Sequence, residues 1–156
     1  MKLSVEWIRL LPLRDGSSQN LIYVVDLNKV PDVAGVYVFC RQWGKSMEGL
    51  YVGKATNMRG RVKGQFNNLR LMQHLKQAKK GNRFLLAGQA VTKPGQRLNK
   101  VLRLLERSLI RHFLSEGHDL VNIQGVRIRR HEIESSGYQP KRFIPRLRYL
   151  ERYKGD

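Results

Sequence analysis

The sequence predicts an α+β fold, in which a small central antiparallel sheet of three core strands is flanked by helices. Two runs rich in aromatic and β-branched residues, 36–39 and 50–52, lie on either side of a polar loop and predict a hairpin. A third strand-like run covers 83–91. Elsewhere the apolar residues recur at helical spacing. A chain of 156 residues that mixes both periods fits a single domain, 1–156.

The N-terminal residues 1–30 contain two further strand-like runs, at 3–11 and 21–27. The segment between them, 14–18, is rich in turn-forming residues. We expect the two runs to form a hairpin, or at least an extension that packs on the main sheet. The polar loop of the central hairpin is predicted at 41–49.

Three helical segments are indicated between and after the core strands. The first has Met58, Val62 and Phe66 at helical spacing behind candidate capping residues. The second and third are predicted at 69–79 and 96–116, the last with a continuous apolar arc.

The C-terminal extension, 125–156, is basic. Residues 126–133 alternate apolar with basic side chains, as a half-exposed strand does. Pro140 and Pro145 argue against a long helix before about Arg146. The apolar residues of this tail either clamp a ligand or pack on the core or on a second copy of the chain, so a homodimer stays open.

The composition is strongly basic, with 30 Lys and Arg against 12 Asp and Glu and a net charge of +18. Such an imbalance is rarely tolerated without a polyanionic partner, and nucleic acid is the first candidate. We find neither the basic amphipathic helix nor the lipidation site that a membrane partner would need. The absence of a signal peptide or membrane span predicts a cytoplasmic protein. A single cysteine, Cys40, excludes an internal disulfide and a zinc site of several thiolates.

One long interval of the chain, between Glu48 and Glu106, contains 13 Lys and Arg and no acid. It predicts a continuous positive surface for phosphates. Glu106, which ends the interval, lies on the margin of the apolar arc of the third helix. One explanation is a structural ion pair with Lys54 or Arg61, and the other is a ligand for a hard divalent cation.

Residues 35–37, Gly-Val-Tyr, followed by residues 51–53, Tyr-Val-Gly, resemble the signature of the GIY-YIG nucleases, with Val in place of Ile in both halves. The continuation through 51–57, with Arg61 ten residues after the second tyrosine, is similar to the motif of the excision-repair nuclease C subunit and of some GIY-YIG restriction enzymes. The resemblance covers roughly 33–124 and implies a GIY-YIG-like fold for that core. Neither extension is explained by it.

The resemblance also implies roles for individual residues. Tyr37 and Tyr51 match the two motif tyrosines, and Arg61 matches the helix arginine. Glu106 matches the metal-binding glutamate of the fourth motif. Asn122 matches the asparagine of the fifth motif, which would support the metal site.

The mechanism implied is hydrolysis of a phosphodiester by water. Tyr37 would take the proton of the attacking water, and Lys54 or Tyr51 would favour its phenolate, since an ordinary tyrosine with a pKa of about 10 is a poor base. Members of the GIY-YIG family vary at the position that Lys54 matches, so its role is the least secure transfer from the resemblance. Arg61 would stabilise charge on the phosphoryl oxygens, and Glu106 would hold one Mg²⁺ or Mn²⁺ that neutralises the leaving oxygen. No small-molecule cofactor besides the metal is expected.

Five further residues are expected to contact the substrate. They are Arg59 and Lys63 of the acid-free interval, Asn122 of the fifth motif, and Arg127 and Arg129 of the basic C-terminal strand. The function expected is therefore a metal-dependent endonuclease that acts on duplex or branched DNA in genome defence or DNA repair. Two alternatives remain. One is a non-catalytic basic nucleic-acid-binding module, and the other is an RNA nuclease, because phosphate-directed chemistry does not distinguish ribose from deoxyribose.

Overall fold

The computed structural model describes residues 1–121, 128–137, 144–152 and 154–156. In chain order the strands are β1 (Ser4–Pro12), β2 (Arg14–Asp15), β3 (Tyr23–Val24), β4 (Gly35–Trp43), β5 (Ser46–Ala55), β6 (Asn82–Val91), β7 (Arg130–Glu134) and β8 (Leu147–Glu151). The α-helices are α1 (Met58–Gln65), α2 (Leu69–Gln77) and α3 (Leu98–Ser115). The predicted α+β class is confirmed. Within the described ranges, no helix combines the length and the apolar character needed to cross a membrane.

The central sheet is antiparallel and has four strands in the order β1-β6-β4-β5. Three of them, β4, β5 and β6, are the predicted core strands. β4 lies in the middle and pairs with β5 on one side and with β6 on the other. Strand β1 adds the fourth position at the edge beside β6.

Of the two alternatives for the runs 3–11 and 21–27, the hairpin is wrong and the extension of the main sheet is observed for the first run. The first run forms β1 and extends the main sheet, whereas the second contains β3, which pairs with the two-residue strand β2. Gly88 of β6 explains the preference of β1, because the ring of Trp7 lies where a Cβ on Gly88 would stand. An edge position against β6 therefore gives this aromatic side chain a flat surface to cover.

The polar segment predicted as a long loop is mostly strand. β4 continues to Trp43 and β5 begins at Ser46, which leaves a turn of two residues. Arg41 and Glu48 are opposite each other in the ladder, and their Nε and Oε1 atoms are 2.9 Å apart. Because the two charges neutralise each other across the strands, a polar sequence continues the sheet here.

Asparagine side chains start the first two helices. Asn57 accepts a hydrogen bond from the backbone N–H of Gly60 at the start of α1, and Asn68 accepts one from Leu71 at the start of α2. Helix α3 has no such cap. It ends before Gly117, whose φ of +80° is the left-handed conformation that glycine adopts without strain.

Alternate residues of β4 face opposite sides of the sheet. Tyr37 and Phe39 pack with Tyr51 in a cluster that α1 and α2 cover. Val36 and Val38 belong to the clusters that pack against α3. The central strand is thus buried on both faces, and the faces are built differently, one aromatic and one aliphatic.

The C-terminal extension contributes a separate two-stranded sheet of β7 and β8. The strand predicted at 126–133 is observed for its second part only, because 122–127 lie outside the described residues. The ring of Tyr149 in β8 lies beside Gly117 and stacks on Arg130. This tyrosine therefore packs against the end of α3. Packing on the core was one of the two alternatives predicted for the apolar residues of the tail.

Candidate active site

Two buried tyrosines meet beneath α1. Tyr37 is fully buried, Tyr51 is 1% exposed, and their ring centroids are 6.2 Å apart. The amide of Gln65 donates from Nε2 to both hydroxyl oxygens, at 2.8 Å for Tyr37 and 3.1 Å for Tyr51. A single buried amide group thus fixes the positions of both phenols.

Gly53 makes room for the first of these tyrosines. It lies opposite Tyr37 in the ladder between β4 and β5. A Cβ atom at position 53 would overlap the ring and the hydroxyl of Tyr37. Gly35 is needed for a different reason, because a Cβ there would overlap the carbonyl oxygen of Gly88 in the neighbouring strand. Both glycines of the sequence pattern are therefore steric requirements of the sheet.

The protonation of the two phenols is set mainly by their burial. Loss of hydration raises the pKa of Tyr37, and the hydrogen bond from Gln65 and the positive charge of Arg61 offset only part of that rise. Burial also raises the pKa of Tyr51. Both hydroxyls therefore carry their protons at neutral pH. The hydrogen bond with Tyr51 lowers the pKa of Tyr37, which is the direction that would favour the phenolate. This effect is smaller than the rise that burial causes.

Glu106 is a buried carboxylate on the other side of the sheet. Nζ of Lys54 lies 2.6 Å from its Oε2 atom, so one of the two predicted ion pairs is present. Its Oε1 atom is buried and has no hydrogen-bond partner among the described residues. A carboxylate oxygen in this condition is costly unless a donor or cation completes it.

The unsatisfied oxygen of this carboxylate is the one feature here, in the described part of the chain, that would suit a divalent cation. Among the described residues, no group of three or more His, Cys, Asp or Glu side chains is placed to hold a metal. Mg²⁺, however, keeps several of its waters and commonly binds through one or two carboxylates together with substrate phosphates. Glu106, with one oxygen bound to Lys54 and one left over, matches that mode.

The alternation of β5 separates the two halves of the site. Tyr51 and Gly53 face α1, whereas Lys54 is on the face that α3 covers, where it reaches Glu106. The tyrosine pair and the carboxylate therefore lie on opposite faces at the same end of the sheet. The ion pair does not join them directly.

An open depression at the end of β5 is lined by one cation from each half. It is lined by Lys54, Ala55, Thr56, Asn57, Gly60 and Arg61. Arg61 acts on the tyrosines from one side, and Lys54 contacts the carboxylate on the other. A phosphate group placed in this depression would lie between two cations, one that acts on the phenols and one that contacts the carboxylate.

The predicted substrate contacts are not gathered at this depression. Arg59 donates to the carbonyl oxygens of Val30 and Asn28, so its guanidinium holds the N-terminal segment against α1. Lys63 lines a different depression, which includes Asp26.

The other predicted contacts belong to the C-terminal half of the chain. Arg129 is exposed and lines a third depression, with Arg130 and Arg152. Asn122 and Arg127 lie outside the described residues.

Gln65 is a site residue that the sequence pattern did not predict. It lies four residues after Arg61 and three after Val62, on the inward side of a short helix, and is only 6% exposed. A polar residue at the buried position of an otherwise apolar helical face was the available signal.

Comparisons of the chain with protein-family models, with curated proteins and with solved structures found no match.

Proposed function

We propose that this protein is a metal-dependent DNA endonuclease of the GIY-YIG type, which hydrolyses phosphodiester bonds with water. The observation that carries the proposal is the depression at the end of β5. Its walls supply two cations: Arg61, whose charge acts on the buried tyrosine pair, and Lys54, which contacts a buried carboxylate whose other oxygen has no hydrogen-bond partner among the described residues. Phosphate chemistry needs these groups and little else from a protein.

The tyrosine side of the depression would handle the attacking water. Tyr37 is the proposed proton acceptor, held in place by Gln65. Because burial keeps its phenol protonated, Tyr37 can take the proton of the attacking water only after its own proton has passed to hydroxide from the solvent, and the positive charge of Arg61 lowers the cost of that ionisation. Arg61 would also stabilise negative charge that develops on the phosphoryl oxygens.

The carboxylate side would hold the metal. Glu106 would bind one Mg²⁺ or Mn²⁺ through Oε1, the oxygen that has no hydrogen-bond partner in the described part of the chain. The ion would supply a Lewis acid for the phosphate oxygens. Lys54 orients the carboxylate through Oε2 and lines the depression with its exposed part.

The setting of the reaction belongs to the same proposal. A cytoplasmic role in genome defence or DNA repair, with duplex or branched DNA as the substrate, agrees with the net charge of +18. Cleavage of both strands would require either two events or a homodimer, since one site makes one nick.

The direct test is incubation of the purified protein with supercoiled plasmid and Mg²⁺ or Mn²⁺, with and without EDTA. We expect metal-dependent conversion to nicked circles. Binding without cleavage on duplex, branched and single-stranded DNA would instead support a binding module. Cleavage of an RNA of matched sequence, without cleavage of the DNA, would show that the substrate is RNA and that the proposed phosphodiester hydrolysis is correct.

A further inference from the structure

A second basic surface begins where the depression at the end of β5 stops. It is a shallow groove at the start of α3, lined by Thr56, Arg97, Leu98, Asn99, Lys100 and Arg103. Thr56 lines both depressions, so they adjoin each other. We call Arg97, Lys100 and Arg103 the α3 basic triad.

The triad is available for a ligand. All three side chains are exposed. In the part of the chain that the structure describes, none of them forms an ion pair or a side-chain hydrogen bond. This distinguishes the triad from Arg59 and Arg83, whose guanidinium groups are committed to backbone carbonyls.

The position of the triad is unfavourable for the free protein. Arg97 is the N-cap of α3 and provides no side-chain cap, and the first turn contains no acidic residue. The N-cap of α3 therefore provides no side-chain acceptor for the free backbone N–H groups, and Arg97 and Lys100 add two cations at the positive end of the helix dipole, with Arg103 one turn further along. These charges repel the dipole and one another, and a polyanion bound there would relieve both effects.

We propose that the nucleic-acid strand in the depression between Lys54 and Arg61 continues over Thr56 and binds the α3 basic triad through its phosphates. The triad extends over about 9 Å of helix axis at about 1.5 Å per residue. Phosphates of one strand rise about 3.4 Å each along the duplex axis, so a strand laid along the triad with the two axes parallel would bring about three phosphates within this length. This inference rests on the proposed function, which places the nucleic acid in the depression between Lys54 and Arg61. It adds the direction in which the nucleic acid leaves that depression.

The test is the salt dependence of DNA binding, measured by fluorescence anisotropy with a short labelled duplex in EDTA. The test variant replaces the triad, Arg97→Gln, Lys100→Gln and Arg103→Gln. Its slope of log K against log salt should be shallower than that of the wild type by about 0.9 for each phosphate that the variant no longer neutralises, or about 2.7 for three phosphates.

A matched control removes the same charge at the other end of the sheet. Lys45, Lys79 and Lys80 are exposed and lie near the β4–β5 turn and the start of β6, whereas Thr56 follows the opposite end of β5. The variant Lys45→Gln, Lys79→Gln and Lys80→Gln should keep the wild-type slope. Equal changes of slope in both variants would show a general effect of net charge and overturn the proposal, as would an unchanged slope in the triad variant.

Two further measurements separate this inference from the proposed function. The triad variant should unfold at a higher temperature than the wild type when free of DNA, because repulsion at the helix end is removed. A lower melting temperature would show that the triad stabilises the fold and would contradict the inference. Since binding is measured in EDTA, a protein that never cuts DNA can still confirm the path, and a cutting protein can still refute it.

Discussion

Nζ of Lys54 lies 2.6 Å from Oε2 of Glu106, and the other oxygen of the same carboxylate is buried without a partner among the described residues. The pair joins the end of the edge strand β5 to the middle of α3. A buried ion pair repays its loss of hydration best when further hydrogen bonds satisfy the remaining lone pairs of the carboxylate. The half-satisfied carboxylate is the feature that favours a metal ligand over a purely structural role.

Replacement of that carboxylate should stop catalysis and spare binding. Glu106→Ala removes the proposed metal ligand and frees the positive charge of Lys54 in the depression, so we expect nicking to fall at least about a hundredfold while DNA affinity is equal or higher. Plasmid nicking and anisotropy measure the two effects. Glu116→Ala, at an exposed position just after α3, is the control and should behave as the wild type. A Glu106→Ala protein that cuts at the wild-type rate would remove Glu106 from the mechanism.

Removal of the amide that joins the tyrosines should affect both stability and rate. Gln65→Leu keeps the approximate volume but removes the amide donor that the two buried hydroxyls share, and we expect the free energy of unfolding to fall by about 1–3 kcal/mol. Nicking should fall even under conditions in which the variant is fully folded, because Tyr37 loses its fixed position. Urea unfolding and nicking by fully folded protein measure the two quantities. Gln73→Leu, at an exposed position of α2, is the control. A Gln65→Leu protein with normal cleavage would show that the amide serves packing alone.

Two glycine-to-alanine substitutions near the site should have opposite effects. Gly53→Ala forces the ring of Tyr37 aside, and we expect a loss of about 1–3 kcal/mol in stability together with loss of cleavage. Gly64→Ala lies in α1 with no atom within 4 Å of the new methyl group, so it should stabilise the protein by up to about 1 kcal/mol. Thermal unfolding of the two proteins is the measurement. Equal stability changes would contradict the steric role of Gly53.

Acid should destabilise the fold through His118. Its Nδ1 accepts a hydrogen bond from the backbone N–H of Gly49 at 3.0 Å, and burial lowers the pKa of the imidazole below its usual 6.5. A lowered pKa means that the unfolded chain binds the proton more readily. This contribution to stability is therefore complete above pH 6.5 and is lost as the pH falls toward the lower pKa of the folded state.

The variant His118→Asn isolates that effect. Its Oδ1 atom can accept the same hydrogen bond and does not titrate. Denaturant unfolding at pH 7.5 and at pH 5.5, as about one unit on each side of the ordinary histidine pKa, should show a larger loss of stability in the wild type than in the variant. Identical losses would mean that His118 does not contribute to the acid sensitivity.

Local patterns in the sequence determined most of the fold of this protein. Periods of two and 3.6 placed three core strands and three helices close to where the structure has them, because hydrophobic periodicity reports which face of each element is buried. The sequence patterns predicted strand boundaries least well where contacts between neighbouring strands decide how far a strand extends. The polar residues Arg41 and Glu48 continue the central hairpin because they neutralise each other across it, which no single run of sequence shows.

The site divides in the same way. The sequence by itself determined the residue types, since the spacing of Tyr37, Tyr51 and Arg61 is visible in the chain, as is the return of an acid at Glu106. Only the tertiary structure decided which of them touch. The alternation of β5 places Lys54 against Glu106 and leaves the phenols to Gln65 on the opposite face, because successive strand residues point to opposite sides of a sheet. Contact between residues 52 positions apart depends on how α3 packs on that sheet, and packing is a property of the whole fold.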